Sequence, residues 1–422
     1  MGKIFYLMLF ILLMSCADEV SSSSSDVSVS EGDNLGWRPA GFTPDPTTQY
    51  TRGSGLRMVT HSGEWILLVD AWTSYVDGKG GLLTYSPRLF ISKINLNKWD
   101  TLSVPSKSYV RTVYADSTGF YVGTYKTGQI MKYLPNQKKW EEINVLDSAD
   151  GIDYNVYGIN KYGNRLIVCL AGIKDSVTQE IVSVMKLQSE GSWIDLETPE
   201  MYKMLYNDDS VSIPLQFHKG VELEGVFYAA TKNGVWILNS DLKTWTQMPS
   251  PPHTKWDEEN KTIISPITEI ITHRGSLFVV ANSNLIYQWN PSTNSWNGID
   301  SLYLKFREEG DYTIYMNTPR SKETLASDGK HLFVAGGSQP PPMVYMGDYG
   351  DPYGNIEKGW RMLRTGWCGK YKCVSTDATY SLDVVNGYLY AAAYEGLFRM
   401  PLSQLNDVIA SEKDFYGMEI KN

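Results

Sequence analysis

Two glutamates and two arginines are the residues of this chain best suited to do chemistry. Glu269 and Glu323 each stand near the start of a short β-rich run, and Arg57 and Arg111 stand near the start of two others. A retaining glycosidase needs two carboxyl groups about 5 Å apart, and these glutamates belong to successive runs that could approach that spacing. Paired arginines grip a carboxylate through forked hydrogen bonds. Tyr157, His218 and Ser381 hold the corresponding place in three further runs. Cations come early in this series and carboxylates late, so a common site would be polarised. The same residues also suit a wet polar rim with no catalytic duty.

A second set lies in five long segments between the runs. "DAWTSYVDGKGGLLTYSP" carries Trp72, Tyr75 and Asp77, and "PEMYKMLYNDDSVSIP" carries Asp209. "SPPHTKWDEENKTIISP" carries Trp256, "SLYLKFREEGDYTIYMNTPR" carries Tyr312 and Tyr315, and "RTGWCGKYKCVSTDATY" carries Trp367. Loops longer than about 12–15 residues are uncommon and often functional. Aromatic rings offer flat stacking faces and carboxylates accept hydroxyl hydrogen bonds, a combination that suits a glycan or a protein partner. A net charge of −9 argues against nucleic acid. The five histidines are isolated, and Asp147, Asp150 and Asp153 depart from the spacing of a calcium loop, so no metal and no cofactor is expected.

What must position these residues is a repeat. "GFYVGTYKTGQIMKYLPNQKKWEEIN" (119–144), "GVFYAATKNGVWILNSDLKTWTQMP" (225–249) and "SLFVVANSNLIYQWNPSTNSWNGI" (276–299) share one plan. Each has a β-rich run, a turn with Gly or Asn, a second run, a polar turn, and a Trp opening a third run. A further short run precedes each, as in "VRTVYA" or "ITEIIT". Four short strands per unit of about 40–60 residues mark a β-propeller blade. Seven units are counted, with Trp99, Trp140, Trp193, Trp245, Trp296 and Trp360 opening the fourth strand of the first six. The last unit ends without one, and Trp37 is left over near the start. Residues 35–42 are therefore expected to supply the outer strand of the last blade, so that no sheet edge is left open. The expected fold is all-β, a seven-bladed propeller of four-stranded blades closed by an N-terminal strand. "YQWNPSTNSWNGI" and "LFVAGGS" resemble kelch repeats, and "SDLKTW" resembles the Asp-box hairpin. The resemblance is to seven-bladed propellers generally and implies the fold.

The N-terminus reads differently. Lys3 and the apolar run Ile4–Met14 form a stretch too short to span a bilayer, which needs about 20 residues. Leu13-Met14-Ser15-Cys16 resembles the bacterial lipoprotein signal, which implies lipidation of Cys16 and cleavage before it. Ala17 leans toward the outer membrane. The Ser-rich run after it cannot bury apolar area and reads as a flexible tether. The expected organisation is a signal peptide over 1–15, a lipidated Cys and tether over 16–34, a propeller over 35–405 and a tail over 406–422. Cys368 and Cys373 read as a small disulfide loop worth about 2 kcal/mol, and Cys169 in "RLIVCLAG" as a buried thiol.

Together these readings describe a monomer held by its lipid at the bacterial outer membrane, facing the periplasm or the cell surface. It would bind a glycan or a protein on its loop-rich face. A propeller glycosidase or lyase, or a structural subunit of an envelope complex, are the alternatives.

Overall fold

The computed structural model describes residues 38–408, apart from 41–55, 71–73, 77–81, 85–87, 95–97, 106–108, 147–150, 176–179, 207–208, 253–254, 258–261, 265, 282–284, 299–302, 310–311, 318–323, 336–343, 348–359, 364–367, 370–371, 374–378 and 394–395. The leader, Cys16, the tether, Trp37 and the end of the tail therefore lie outside it. The chain divides between Asn34 and Leu35, and the strands all belong to Leu35–Asn422.

Antiparallel sheet supplies nearly all the regular structure. Among the described residues there is no α-helix, and a 3-10 helix spans Leu402–Val408. The chain opens with β1 (Arg38–Pro39). Six four-stranded blades then each come from one continuous stretch. The first is β2 (Leu56–Ser62), β3 (Trp65–Asp70), β6 (Leu89–Lys93) and β7 (Asp100–Leu102). Between its second and third strands it carries β4 (Ser74–Val76) and β5 (Leu82–Thr84). The second blade is β8 (Val110–Asp116), β9 (Gly119–Thr124), β10 (Ile130–Leu134) and β11 (Lys139–Ile143). The third is β12 (Asn155–Tyr162), β13 (Arg165–Asp175), β14 (Glu180–Ser189) and β15 (Ser192–Leu196). After β16 (Glu200–Tyr206) and β17 (Asp209–Pro214) comes the fourth blade: β18 (Phe217–Leu223), β19 (Val226–Thr231), β20 (Gly234–Leu238) and β21 (Trp245–Gln247). After β22 (Lys255–Asp257) and β23 (Thr262–Ile264) comes the fifth: β24 (Ile267–His273), β25 (Ser276–Ala281), β26 (Leu285–Asn290) and β27 (Ser295–Gly298). After β28 (Tyr303–Glu309) and β29 (Tyr312–Asn317) comes the sixth: β30 (Thr324–Ser327), β31 (Leu332–Ala335), β32 (Val344–Gly347) and β33 (Trp360–Leu363).

One more four-stranded sheet is composite. After β34 (Cys368–Gly369) and β35 (Lys372–Cys373), the chain forms β36 (Thr379–Val385), β37 (Tyr388–Ala393) and β38 (Gly396–Pro401). The fourth strand of that sheet is β1, with Arg38 opposite Arg399 and Pro39 opposite Phe398. The closing strand is thus only two residues long, although the Ala40 N–H extends the ladder to the Leu397 carbonyl at 2.8 Å. Pro39 has no N–H to give a ladder, and an outermost strand is where a proline is tolerated.

Second strands are among the most buried. Every residue of β9 and β31 is buried, as are the last five of β25 and β37. A strand in mid-blade is covered on both faces, so its sequence is a continuous apolar run rather than an alternation. Fourth strands sit at the rim, and β7 and β11 have no buried residue. Two-residue turns join first to second strands except in the sixth blade, where residues 328–331 intervene. In Arg274-Gly275 and Asn386-Gly387 both residues have positive φ, as hairpins twisted in the right-handed sense require.

The first strands are neighbours in the order β2, β8, β12, β18, β24, β30, β36 and back to β2, which makes a ring about a central axis. Polar bonds tie many of these neighbours together. Lys161 pairs with Asp116 at 2.6 Å, the Gly220 N–H donates to Asn160 Oδ1 at 3.0 Å, and His273 meets Ser327 Oγ at 2.7 Å. Apolar clusters fill the gaps between blades, for example Phe217, Phe227 and Trp245 with Ile167, Cys169 and Met185 between the third and fourth. Burial pushes the Cys169 thiol up to about 12, which makes it inert as a nucleophile.

The fourth-strand tryptophans have a shared task. Trp193 Nε1 donates to the Asn144 carbonyl at 2.8 Å, and Trp296 Nε1 to the Pro249 carbonyl at 2.7 Å. Each acceptor lies just beyond the last strand of the preceding blade. Trp99 Nε1 makes the same bond to Ala40, just beyond β1, at 3.3 Å. In these three cases the indole ties one sheet's exit to the next blade, once across the closure. Trp245 departs from the pattern: its Nε1 is buried without a partner.

The five long segments expected as loops are β-hairpins instead: β4–β5, β16–β17, β22–β23, β28–β29 and β34–β35. They satisfy their own backbone donors and acceptors by pairing, which a bare loop of that length could not.

Candidate functional site

The first and second strands of the first five blades and of the composite sheet share one irregularity. The register slips between Leu56 and Met58, Val110 and Thr112, Val156 and Gly158, Phe217 and Lys219, Ile267 and Glu269, and Thr379 and Ser381. Each slip is a β-bulge that leaves one unpaired residue: Arg57, Arg111, Tyr157, His218, Thr268 and Tyr380. The residue before the bulge is buried in each of the five sheets where its side chain is described, among them Val156, Phe217 and Thr379 at 0% exposure. The bulge residue escapes this packing: Arg111 and His218 are exposed, and Tyr157, Thr268 and Tyr380 half-buried. Bulges re-aim side chains. Here they release a ring of polar groups at one axial end.

Arg111, Tyr157, His218 and Ser381 were expected near the starts of these strands, and Arg57 too, whose strand position is described while its side chain is not. Glu269 is displaced. It lies one residue past its bulge, is only 6% exposed, and forms an ion pair with Lys219 of the preceding blade. The Ile270 N–H also donates to Glu269 Oε1 at 2.9 Å. Burial raises its pKa, with Lys219 opposing. It is a carboxylate locked into a blade interface rather than one held toward the axis. Ser381 is likewise one residue past its bulge. Its Oγ accepts from the Val59 N–H at 3.2 Å and donates to the Val59 carbonyl at 3.3 Å. Glu323 lies outside the described residues, so no spacing between the two glutamates follows.

What does gather at this end is positive. Arg111 lays its guanidinium over the Tyr157 ring, 5.1 Å from the centroid. His218 is open to solvent although protein encloses it. That enclosure pushes its pKa down, a hydrogen bond to the Thr268 backbone opposes it, and the charges of Lys219, Lys232 and Arg111 lower it further. Lys232 and Lys126 are exposed in the turns between second and third strands of the fourth and second blades. Lys126 is set in place by a bond from its N–H to Asn155 Oδ1 at 3.0 Å. This cationic arc was legible only in part, because Lys219 and Lys232 carry no motif.

Strands alternate in direction, so turns between second and third strands and connections from fourth to first strands emerge at the same end. Four hairpins occupy connections of the latter kind, β4–β5 a turn of the former, and β13–β14 prolongs the third blade there as well. β17 packs against β14 and β16 against β23, so three of these hairpins stand side by side. The β16–β17 hairpin buries Met201 and Ile213 in the core between blades, and Asn233 Nδ2 donates to the Met201 carbonyl at 3.0 Å. That segment is scaffold as much as contact surface.

Of the aromatic and acidic candidates, Tyr75 lies in β4, Asp209 starts β17, Trp256 is central in β22, and Tyr312 and Tyr315 are in β29. Trp72, Asp77 and Trp367 lie outside the described residues. Cys368 and Cys373 stand directly opposite in the β34–β35 hairpin. Among the described residues no group of three His, Cys, Asp or Glu side chains could hold a metal ion.

No family model matches the chain, and no curated protein sequence matches it. Solved structures with a similar course include the extracellular domain of BT4673 from B. thetaiotaomicron, at 12% identity and a TM-score of 0.47. The match covers 83% of this chain and 38% of that one, so this chain spans well under half of it. The WD40 β-propeller domain of Doa1 is similar at 12% identity and a TM-score of 0.47, over 86% of this chain and 96% of that chain. The computationally designed Ika8 protein is similar at 10% identity and a TM-score of 0.45, over 83% and 98%.

Proposed function

We propose that this chain is a lipid-anchored, seven-bladed propeller, the composite sheet counting as the last blade, that works as an extracytoplasmic binding or scaffold module at the bacterial outer membrane. Its ligand is a glycan or a protein, taken on the face that bears the hairpins. The observation that carries this reading is the gathering of five inserted hairpins and the bulge-presented polar groups at one end of the blades. Trp256, Tyr312 and Tyr315 belong to those hairpins, and Trp72 and Trp367 flank two of them in sequence. Anchoring through Cys16 rests on the Leu13–Cys16 motif, and a Cys368–Cys373 disulfide rests on their cross-strand position.

An enzymatic role draws less support. The described candidate carboxylate, Glu269, is buried and committed to Lys219, where it cannot meet a substrate. A subunit buried in an envelope complex would need a contiguous apolar patch. Among the described residues the exposed large apolar side chains are Tyr109 and Ile173.

A glycan array and an envelope-extract pull-down with the full chain test the reading. Trp256→Ala and Trp367→Ala should each weaken the captured ligand by about 1–3 kcal/mol with folding intact. Retention by both variants, with loss on substituting Tyr349 and Tyr353 in the connection between β32 and β33, would put the binding surface at the opposite end. Intact-mass spectrometry of the native protein should find a diacylated or triacylated Cys16 as the first residue; a free mature N-terminus elsewhere would refute the anchor.

A further inference from the structure

Four cationic or imidazole side chains from two blades gather where only polar rim was required. Arg111 comes from the bulge of the second blade. His218 and Lys219 come from the bulge of the fourth, and Lys232 from the next turn of that blade. The charges that act on His218 are those of Lys219, Lys232 and Arg111, all positive. Among the described residues Arg111 has no carboxylate partner; its contact is the face of Tyr157, which leaves the edge N–H groups of the guanidinium directed elsewhere. Lys219 is half-exposed beyond its bond to Glu269. Among the described residues the Glu269 carboxylate is set against Lys219, and the exposed Asp153 lies in the approach to β12. Like charges held together are costly unless something neutralises them, and a chain of net charge −9 has no general reason to collect them at one point.

We propose that this axial end of the second to fourth blades, through Arg111, His218, Lys219 and Lys232, is an oxyanion site that receives the carboxylate of an acidic sugar. The proposal rests on the binding-module reading and names the class of ligand. Arg111 supplies a planar fork that fits a carboxylate, with Tyr157 holding its plane. Lys232 and Lys219 add point charges, and His218 adds a neutral ring able to bond a hydroxyl. A sugar end group is favoured over an extended chain because the site lies within the ring of first strands, behind standing hairpins. Tyr109, 37% exposed just before β8, and Tyr125, whose N–H donates to the Tyr109 carbonyl at 2.7 Å, bring aromatic faces to the same end of the second blade.

Titration calorimetry of the full chain in detergent micelles, with trigalacturonate and its methyl ester as probes, tests this. The acid should bind at least about tenfold more tightly than the ester, and its affinity should fall as salt rises. Arg111→Gln and Lys232→Ala should each remove most of that advantage without moving the melting temperature. Equal binding of acid and ester, or full affinity in Arg111→Gln, overturns the oxyanion site. So does failure of the acid to bind at all. Binding of a neutral oligosaccharide that Trp256→Ala weakens and Arg111→Gln does not, with no preference for the acid, sinks this site while leaving the hairpin face as the binding surface. Arg111-dependent capture of polyglutamate with no uronate binding overturns the sugar class.

Discussion

The junction between the third and fourth blades and the junction between the composite sheet and the first blade solve one problem by different means. The former is a packed one. Phe217, Phe227 and Trp245 meet edge-on or tilted at 5.8–6.4 Å between centroids, and Gly158 lets the Phe217 ring and backbone approach its own backbone closely. The latter has an apolar cluster too, but polar bonds crowd onto it. His61 Nδ1 meets Asp383 Oδ2 at 2.7 Å, Ser381 bonds both backbone groups of Val59, Trp99 reaches Ala40, and Arg399 donates to the Ile94 carbonyl at 3.3 Å. Between the third and fourth blades the chain is continuous and already sets which strands meet. Polar bonds cross there too, the Gly220 N–H to Asn160 Oδ1 at 3.0 Å and the Tyr162 hydroxyl to the Gly225 carbonyl at 2.9 Å, but they add to non-directional burial where connectivity already fixes the pairing. At the closure no peptide bond chooses the register, and directional hydrogen bonds do.

The comparison can be broken most severely at the closure. Deleting residues 35–42 removes β1 and the acceptor of Trp99 and bares the edge of β38. The melting temperature in a calorimetric scan should fall by about 5 °C or more, whereas deleting 17–32 should not move it. Equal scans for both truncations would show that β1 does not hold the ring shut.

The packed junction should yield to a single methyl group. A Cβ on residue 158 would stand 2.6 Å from the Phe217 ring carbons and from its carbonyl oxygen, and backbone cannot swing away. Gly158→Ala should cost about 1–3 kcal/mol in urea unfolding. Gly163→Ala, in a turn with open space around it, should lose less, and only through its positive φ. A harmless Gly158→Ala would mean that the inner strands are less tightly apposed than they stand here.

The smallest effect separates the two junctions by pH. His61 has a raised pKa, chiefly through its hydrogen bond to Asp383, with burial opposing. A group protonated more readily in the folded state stabilises it fully below its unfolded pKa of about 6.5 and loses that contribution as pH rises through the folded value. Asp383→Asn should therefore destabilise more at about pH 5.5 than at about pH 8.5, by less than about 1 kcal/mol because the pair is partly exposed. Gly158→Ala should show no such dependence. A pH-independent Asp383→Asn would remove His61 from the clasp.

Much of this arrangement is written in residue types. Tryptophans after polar turns mark fourth strands because an indole there can both pack and donate across to the neighbouring blade. A missing last tryptophan points to the N-terminus for the same reason. The bulges are not written in this way. A bulge inserts one residue without changing composition, and it inverts the two-residue alternation beyond it. That single step is why Glu269 and Ser381 face a neighbouring blade while Thr268 and Tyr380 take the places expected of them. Three of the five hairpins were missed for another reason: strands of two or three residues, such as Ser74–Val76 or Lys372–Cys373, are too short to show any period. Their pairing is made by backbone groups that every residue possesses.

The two-residue strand β1 also sets an order of events. Arg38 and Arg399 are register partners, so the earliest folded-domain residues to be synthesised must wait for nearly the last. Contacts that distant in sequence form slowly, since the loop they close costs entropy before the contact repays it. Until β38 is complete, a nascent chain holds a stack of finished blades with an open seam at each end. Closure of the ring is therefore gated by the synthesis of β38, and the interval before the seam shuts is when a chaperone or a second chain could enter it.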